Sequence, residues 1–329
     1  MTELFESNII KTFSGKQVLI TGGAGYIATK LVQLLRNVDC RIIRLDRPDA
    51  VFSGVEGKAR IDNISGDIRV SDVWGKVLDK TDFVFHFAAQ TSTYTANENP
   101  VADAEINVSP MLNLLETCRK KKTKPIVLFS STVTVIGLPS KLPVDENCTG
   151  EPVTVYDLHK LIAEKYLNYY ISQGAVSGAI LRLSNVYGPG PKSSKSDRGI
   201  LNLMIRKALA GETLTVYGQG DYLRDYVYVE DIARAFIMAA INIKNTNGRY
   251  FVIGSGQGHT ITEAVNLVAD RTAIKTGRRV DVIQIEPQSP QSPIEMRNFV
   301  ADSGQFSTAT DWKADVSLIE GIDRTIESY

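Results

Sequence analysis

Short apolar runs alternate with longer segments of helical period through the first half of the chain. The runs at 17–20 (QVLI), 41–46 (RIIRLD), 83–88 (FVFHFA), 125–130 (PIVLFS) and 179–183 (AILRL) are short and almost continuously apolar. That character belongs to strands buried on both faces. Between them Ile27, Leu31, Leu34 and Leu35 recur at helical spacing, as do Val108, Met111, Leu112, Leu115 and Cys118. A third helix carries Leu158, Leu161, Ile162, Lys165 and Tyr166 along one side, with mixed polarity. The alternation predicts a doubly wound α/β domain, a parallel sheet covered by helices on both faces.

Beyond residue 186 the texture changes. GPGPKSSKSDRG (188–199) is rich in Gly, Pro and Ser and reads as a loop. A helix is expected over 200–210 and a strand at LTVYG (214–218). YVYVEDIARAFIMAAI (226–241) reads as a strand end, an acidic helix start and a buried helix. RYFVIGS (249–255) is a further strand, and Pro and Gln crowd around 287–293. Residues 1–185 are expected to form the first domain and to recruit about 225–255, leaving 186–329 mainly as a smaller α/β substrate domain.

Composition narrows the function. The chain has 329 residues, 43% of them hydrophobic, ample for one large or two modest cores. Lys+Arg and Asp+Glu both number 37, so the basic footprint of a nucleic-acid binder is missing. The cysteines (Cys40, Cys118, Cys148) are odd in number and scattered without a CxxC, which argues against a disulfide framework or a zinc site. The N-terminal segment has no export-signal pattern and no apolar run suits a membrane span. The sequons at Asn63, Asn107 and Asn147 then read as chance, and a soluble cytoplasmic protein is expected.

Candidate chemistry begins at VLITGGAGYIATKL, which runs from a strand through a glycine turn into a helix. Gly22 and Gly25 allow tight turning and close approach to a pyrophosphate, and Ala28 is small enough for helix–strand packing. This is the phosphate end of a Rossmann dinucleotide site, with Tyr26 and Ile27 opening the helix. Asp46 closes the next strand, where a carboxylate accepts ribose hydroxyls and repels a 2′-phosphate. NAD is therefore favoured over NADP, although Arg47 stands beside it. Asp67 and Ile68 follow as an adenine-edge candidate, and Phe87, Ala88, Ala89 and Gln90 offer mostly small residues against the cofactor.

YDLHK (156–160) places Tyr156 and Lys160 on one helical face. Spacing alone leaves open a catalytic phenol with its cation or plain helix surface. Tyr26 and Lys30 repeat the spacing in the first helix, where Lys30 is expected to be solvated. Thr132 alone would read as a strand-end hydroxyl. His86 reads as strand-end structure, His159 as a solvated or packing residue and His259 as a loop residue.

The ordered set TGGAGYIA, LD (45–46), GDI (66–68), HFAAQ, FSSTVTVIG (129–137), YDLHK, RLSNVYGPG (182–190) and GDYLRDYVYVEDIA (220–233) resembles the extended short-chain dehydrogenase/reductases. Within them it resembles the nucleotide-sugar epimerase/dehydratase group, and the pieces span nearly the whole chain. The resemblance implies Tyr156 as acid/base, Lys160 as its cation and nicotinamide-ribose contact, and Thr132 as the hydroxyl that bonds the reacting sugar oxygen. It implies substrate contacts from Asn185, Arg224 and Arg297, the arginines suited to a diphosphate by their planar fork. Lys192, Lys195 and Arg198 could assist the phosphates or be solvated. A homodimer through the helices at 101–120 and 156–172 is a further implication.

Dehydratases of the group place an Asp-Glu pair directly after the Thr; here Val133 and Thr134 stand there. The resemblance therefore points to an NAD-dependent epimerase that inverts C4 through a keto intermediate. An NAD(P)-dependent sugar-nucleotide dehydrogenase or 4-ketoreductase is the alternative, followed by a 4,6-dehydratase and a non-catalytic NAD-binding regulator. Ile136 stands where VYG tyrosines are common and bears on the pocket.

Overall fold

The structure, a computed structural model, describes residues 3–191, 199–287 and 292–329; Lys192, Lys195 and Arg198 lie outside the described residues. The chain opens with α1 (Glu3–Phe13), β1 (Gln17–Thr21), α2 (Tyr26–Leu35), β2 (Arg41–Asp46), β3 (Arg60–Ser65), α3 (Ser71–Val77) and β4 (Phe83–His86). It continues with α4 (Thr93–Glu98), α5 (Pro100–Asn107), α6 (Ser109–Lys121), β5 (Ile126–Thr132), a 3₁₀ turn (Val133–Ile136), α7 (Val155–Ser172) and β6 (Ser177–Leu183). Then follow β7 (Asn185–Tyr187), α8 (Ile200–Leu209), β8 (Leu214–Tyr217), β9 (Leu223–Tyr228), α9 (Val229–Ile241), α10 (Ile243–Thr246) and β10 (Tyr250–Ile253). The last elements are β11 (Gly258–Thr260), α11 (Ile261–Thr276), β12 (Val282–Ile285), a 3₁₀ turn (Pro293–Met296), α12 (Gly304–Thr310) and α13 (Leu318–Glu327).

Seven parallel strands form the main sheet in the order β10-β6-β5-β4-β1-β2-β3. Successive side chains point to opposite faces, so each strand feeds two cores. Val18, Ile20, Phe83, Phe85, Leu128, Ala179 and Leu181 pack against α1, α2, α9 and α12. Leu19, Ile43, Val84, Val127, Phe129 and Ile180 pack against α3, α6 and α7. This is the expected doubly wound α/β architecture. Its strand order reverses between β1 and β4, and the glycine turn leaves the sheet there.

β10 lies at the sheet edge beside β6, and α9 packs on α2, so the segment carrying both belongs to the sheet's layers. The rest of the second half builds its own core from Leu201, Met204, Ile205, Leu214, Val216, Val265, Val268, Ile322 and Ile326. Two small sheets join it: β7 runs parallel to β9 while β11 runs antiparallel to it, and β8 pairs with β12. Among the described residues no helix is long and apolar enough to cross a membrane.

Two local expectations need correction, those for Lys30 and His259. On α7 the buried residues are Tyr156, Asp157, Lys160, Ala163, Glu164 and Leu167, whereas Leu158 is 45% exposed and Lys165 is exposed. Of the mixed-polarity side read from the sequence, Leu161 and Tyr166 are half-buried against neighbouring cores, and the adjoining face buries Asp157, Lys160 and Glu164. Lys30 is half-buried, desolvated and facing Glu230 of α9, where a solvated lysine was expected. His159, expected to be solvated or to pack, is part-buried with Nδ1 2.7 Å from an Asp103 oxygen and so packs. His259 belongs to β11, opposite Arg224, where a loop was expected.

Candidate functional site

The carboxyl ends of β1 and β4 meet at the glycine turn. Gly22 has φ +66°, and a Cβ there would stand 2.9 Å from the Ala88 nitrogen and 3.1 Å from the Phe87 carbonyl carbon. The 87–89 segment therefore lies directly against the turn, held by Phe87 N–H on the Thr21 carbonyl and Ala88 N–H on Thr21 Oγ1 at 3.2 Å. Thr21 Oγ1 also meets His86 Nδ1 at 2.7 Å. Burial lowers the His86 pKa to about 3, with Lys160 adding to the effect, so the ring is neutral as a strand-end support. Gly23 is required for another reason: its Cβ would stand 2.7 Å from that of Arg44.

α2 begins at Tyr26 with Gly25 as its N-cap, no capping side chain and no acid in its first turn. The positive end of the helix dipole is left for an anion. A narrow glycine cradle below an uncapped helix fits the pyrophosphate of a dinucleotide. At the end of β2, Asp46 accepts the Ala24 N–H at 2.9 Å and the Arg47 N–H at 2.8 Å. Arg47 turns its guanidinium to Asp49 at 3.1 Å, an arrangement that fits NAD better than its 2′-phosphorylated form. Arg44, buried, donates to the Gly23 and Ser53 carbonyls at 2.8 Å each and stacks on Phe52. It ties the glycine turn to the loop after β2.

Other cofactor candidates are partly occupied. Asp67 is gripped by Arg69 at 2.6 Å, and Ile68 is buried with its carbonyl on the Trp74 indole at 2.7 Å. Gln90 donates from Nε2 to Asp103 at 2.8 Å. The buried Asp103 also accepts Asn107 at 3.0 Å and meets His159, so it fastens the loop after β4 to α5 and α7. Tyr26 and Ile27 are half-buried at the helix start. The Tyr26 hydroxyl donates to the Gly188 carbonyl at 2.8 Å, joining the cofactor turn to the second half of the chain.

α7, which carries Tyr156 and Lys160, packs on β5 and on the 3₁₀ turn that follows Thr132. Thr154 caps the helix by accepting the Asp157 N–H at 3.2 Å, so Tyr156 enters in its first turn. Lys160 is buried, donates to the Ser130 carbonyl at 2.6 Å and lies 4.2 Å from the centre of the Phe129 ring. Burial lowers its pKa to about 7, opposed by Glu164 and Asp103. Behind it Glu164 accepts Ser131 Oγ and pairs with Arg182 at 2.8 Å. Sequence reading missed Glu164, Arg182 and Asp103. A charge inside the apolar run AILRL was the available signal, since a buried arginine demands a partner.

Thr132 ends β5 opposite Leu183, and its Oγ1 accepts the Thr134 N–H at 3.2 Å and lies 2.9 Å from the Thr134 hydroxyl. Val133 and Ile136 are buried beside them. Asn185 opens β7, paired with Tyr226 of β9. Arg224 sits at the entrance to β9 and donates to the carbonyls of Leu223 (2.9 Å), Glu295 and Arg297. Its neighbour Asp225 is structural, accepting N–H groups of Ser255, Gly256 and Ala301. Arg297 is buried over Phe299, and its Nε and Nη1 have no partner, so it is not a surface salt bridge. Burial lowers its pKa to about 10; Arg224 adds to this and Asp157 opposes it. Among the described residues no cluster of His, Cys, Asp or Glu could hold a metal ion.

The arrangement combines a glycine cradle at the ends of β1 and β4 with a phenol and a buried lysine on α7 and a hydroxyl at the end of β5. The chain's residues 18–254 match the model of the NAD dependent epimerase/dehydratase family. The putative UDP-glucose 4-epimerase of Methanocaldococcus jannaschii is 33% identical over 311 residues, 94% of this chain and 97% of that protein. The crystal structure of a Thermotoga maritima UDP-glucose 4-epimerase with UDP-glucose superposes with a TM-score of 0.84 at 28% identity, covering 95% of this chain and 98% of that one. A Thermus thermophilus UDP-glucose 4-epimerase in complex with NAD gives 0.80 at 28% identity, with 95% and 98% covered. With the fold, the cradle and these likenesses together, the chain belongs to the NAD-dependent epimerase/dehydratase family of extended short-chain dehydrogenase/reductases.

Proposed function

We propose that the protein is an NAD-dependent nucleotide-sugar 4-epimerase acting on a UDP-hexose, UDP-glucose and its C4 epimer being the first candidates. The observation that supports this reading is the packing of α7, which carries Tyr156 and Lys160 on its buried face, against β5, which ends at Thr132. NAD⁺, when bound, supplies hydride acceptance and return at C4. Tyr156 takes the proton of the C4 hydroxyl and gives one back after the keto sugar has turned over. Lys160, in its ammonium form, favours the phenolate over the neutral phenol. Thr132 bonds the same sugar oxygen. Gly22, Gly25, the start of α2 and Asp46 bind the cofactor in this reading, with residues 67–68 and 87–90 along its length.

Val133 and Thr134 favour inversion over elimination, since neither carries a carboxylate next to Thr132. Arg224 remains the diphosphate candidate: a guanidinium has five N–H donors, so the carbonyls of 295 and 297 and a phosphate can share it. Asn185 and Arg297 are assigned to the same sugar-nucleotide side. A homodimer through the helices at 101–120 and 156–172 belongs to the same reading. The free thiols Cys40, Cys118 and Cys148 accord with a cytoplasmic enzyme.

Cofactor stoichiometry over a panel of nucleotide hexoses tests the proposal. Isomerisation of a UDP-hexose at C4 without net NADH formation is the expected result. One NADH formed per sugar consumed would assign a dehydrogenase instead.

A further inference from the structure

The first turn of α7 buries a carboxylate that the reaction above does not use. Asp157 follows Tyr156 and is 0% exposed. Neither of its carboxylate oxygens completes a hydrogen bond. The groups that face it are the hydroxyl of Thr134 from the turn after β5, the hydroxyl of Thr154 from the helix cap, and the Arg297 guanidinium. Burial raises the Asp157 pKa, with Thr134, Thr154 and then Arg297 opposing.

Thr134 approaches Thr132 Oγ1 twice, by its N–H at 3.2 Å and by its hydroxyl at 2.9 Å. We infer that Asp157 is a positioning residue that orients the Thr132 hydroxyl through Thr134. This rests on the reading of Thr132 as the sugar-oxygen contact. In this relay the Asp157 carboxyl donates to the Thr134 hydroxyl oxygen, and the Thr134 hydroxyl in turn donates to Thr132 Oγ1. The N–H and O–H of Thr134 then occupy both lone pairs of Thr132 Oγ1, and only its hydrogen is left for substrate. A ketone oxygen has no proton of its own and needs such a donor. An ionised Asp157 reverses the relay: it accepts a hydrogen bond from the Thr134 hydroxyl, Thr134 accepts one from Thr132, and the sugar oxygen meets a lone pair. Being fully buried, Asp157 acts only through Thr134.

The NAD-loaded wild type, Asp157→Asn, Asp157→Ala and Thr134→Val proteins test this. The infrared difference spectrum of wild type minus Asp157→Asn at neutral pH is expected to show the C=O stretch of a protonated carboxyl. Thr134→Val shifts that band upward by removing its acceptor. Carboxylate bands alone, or a band indifferent to Thr134→Val, overturn the inference. With UDP-glucose, Asp157→Ala lowers kcat about tenfold at unchanged KM, the scale of one hydrogen bond. Asp157→Asn recovers most of the loss because its amide also donates, and it lacks the fall in kcat that wild type shows as pH rises through the Asp157 titration. Equal kcat in wild type and Asp157→Ala, or equal pH profiles in wild type and Asp157→Asn, also overturn it. Failure of the wild type to turn over any nucleotide sugar counts against the proposed function, while the infrared bands still decide the relay.

Discussion

Arg182 closes on Glu164 at 2.8 Å inside the protein, one helical turn beyond Lys160, with side chains only 4% and 2% exposed. The pair backs the candidate ammonium, and the Arg182 guanidinium stacks 3.9 Å from the centre of the Tyr250 ring on the sheet edge. Removing one partner strands the other charge in the interior. Glu164→Ala is therefore expected to lose about 3–5 kcal/mol of stability, read as a lower urea midpoint at unchanged slope. A loss within the range of a surface substitution would show that the pair supports little.

Lys160 gives the protein a stability that depends on pH. Its folded pKa, lowered to about 7 by burial, lies below its unfolded value near 10.4, so between these values the unfolded chain binds more protons. The destabilisation is complete below about pH 7 and is relieved as pH rises toward 10. Cofactor-free protein should gain stability from this group across that window, and Lys160→Met should flatten the gain. Equal pH slopes in the two proteins, measured by denaturant unfolding, would remove Lys160 as the cause.

Gly22 lies where the chain leaving β1 meets the segment that follows β4. Gly22→Ala adds a methyl 2.9 Å from the Ala88 nitrogen at a φ of +66°. Strain of about 1–3 kcal/mol is expected, together with loss of copurifying NAD measured after denaturation. Normal NAD content in a folded variant would place the pyrophosphate elsewhere.

Much of this organisation is legible in the sequence, and the gaps have physical causes. RIIRLD matches β2 from end to end because its apolar run is buried on both sides. RIDNIS was not read as a strand: β3 sits at the sheet edge, alternates half-buried and exposed positions and lacks an apolar run. α1 escaped notice because it buries only Ile9 and Phe13. Ordered motifs brought forward Tyr156, Lys160, Thr132 and the glycine turn. Hydrophobic periodicity does not reveal the buried polar face of α7, because Asp157, Lys160 and Glu164 look like surface until Thr134, Ser130 and Arg182 are set against them. Partners supplied by the fold have no local signature.

The most direct test of C4 inversion follows deuterium in UDP-glucose labelled at C4, with no added cofactor, by NMR. The wild type should yield the C4 epimer with the label retained at C4. Tyr156→Phe, still carrying NAD, should be slower by about 10²–10⁴-fold. Inversion with the label lost to water, or turnover by Tyr156→Phe at the wild-type rate, would contradict the account.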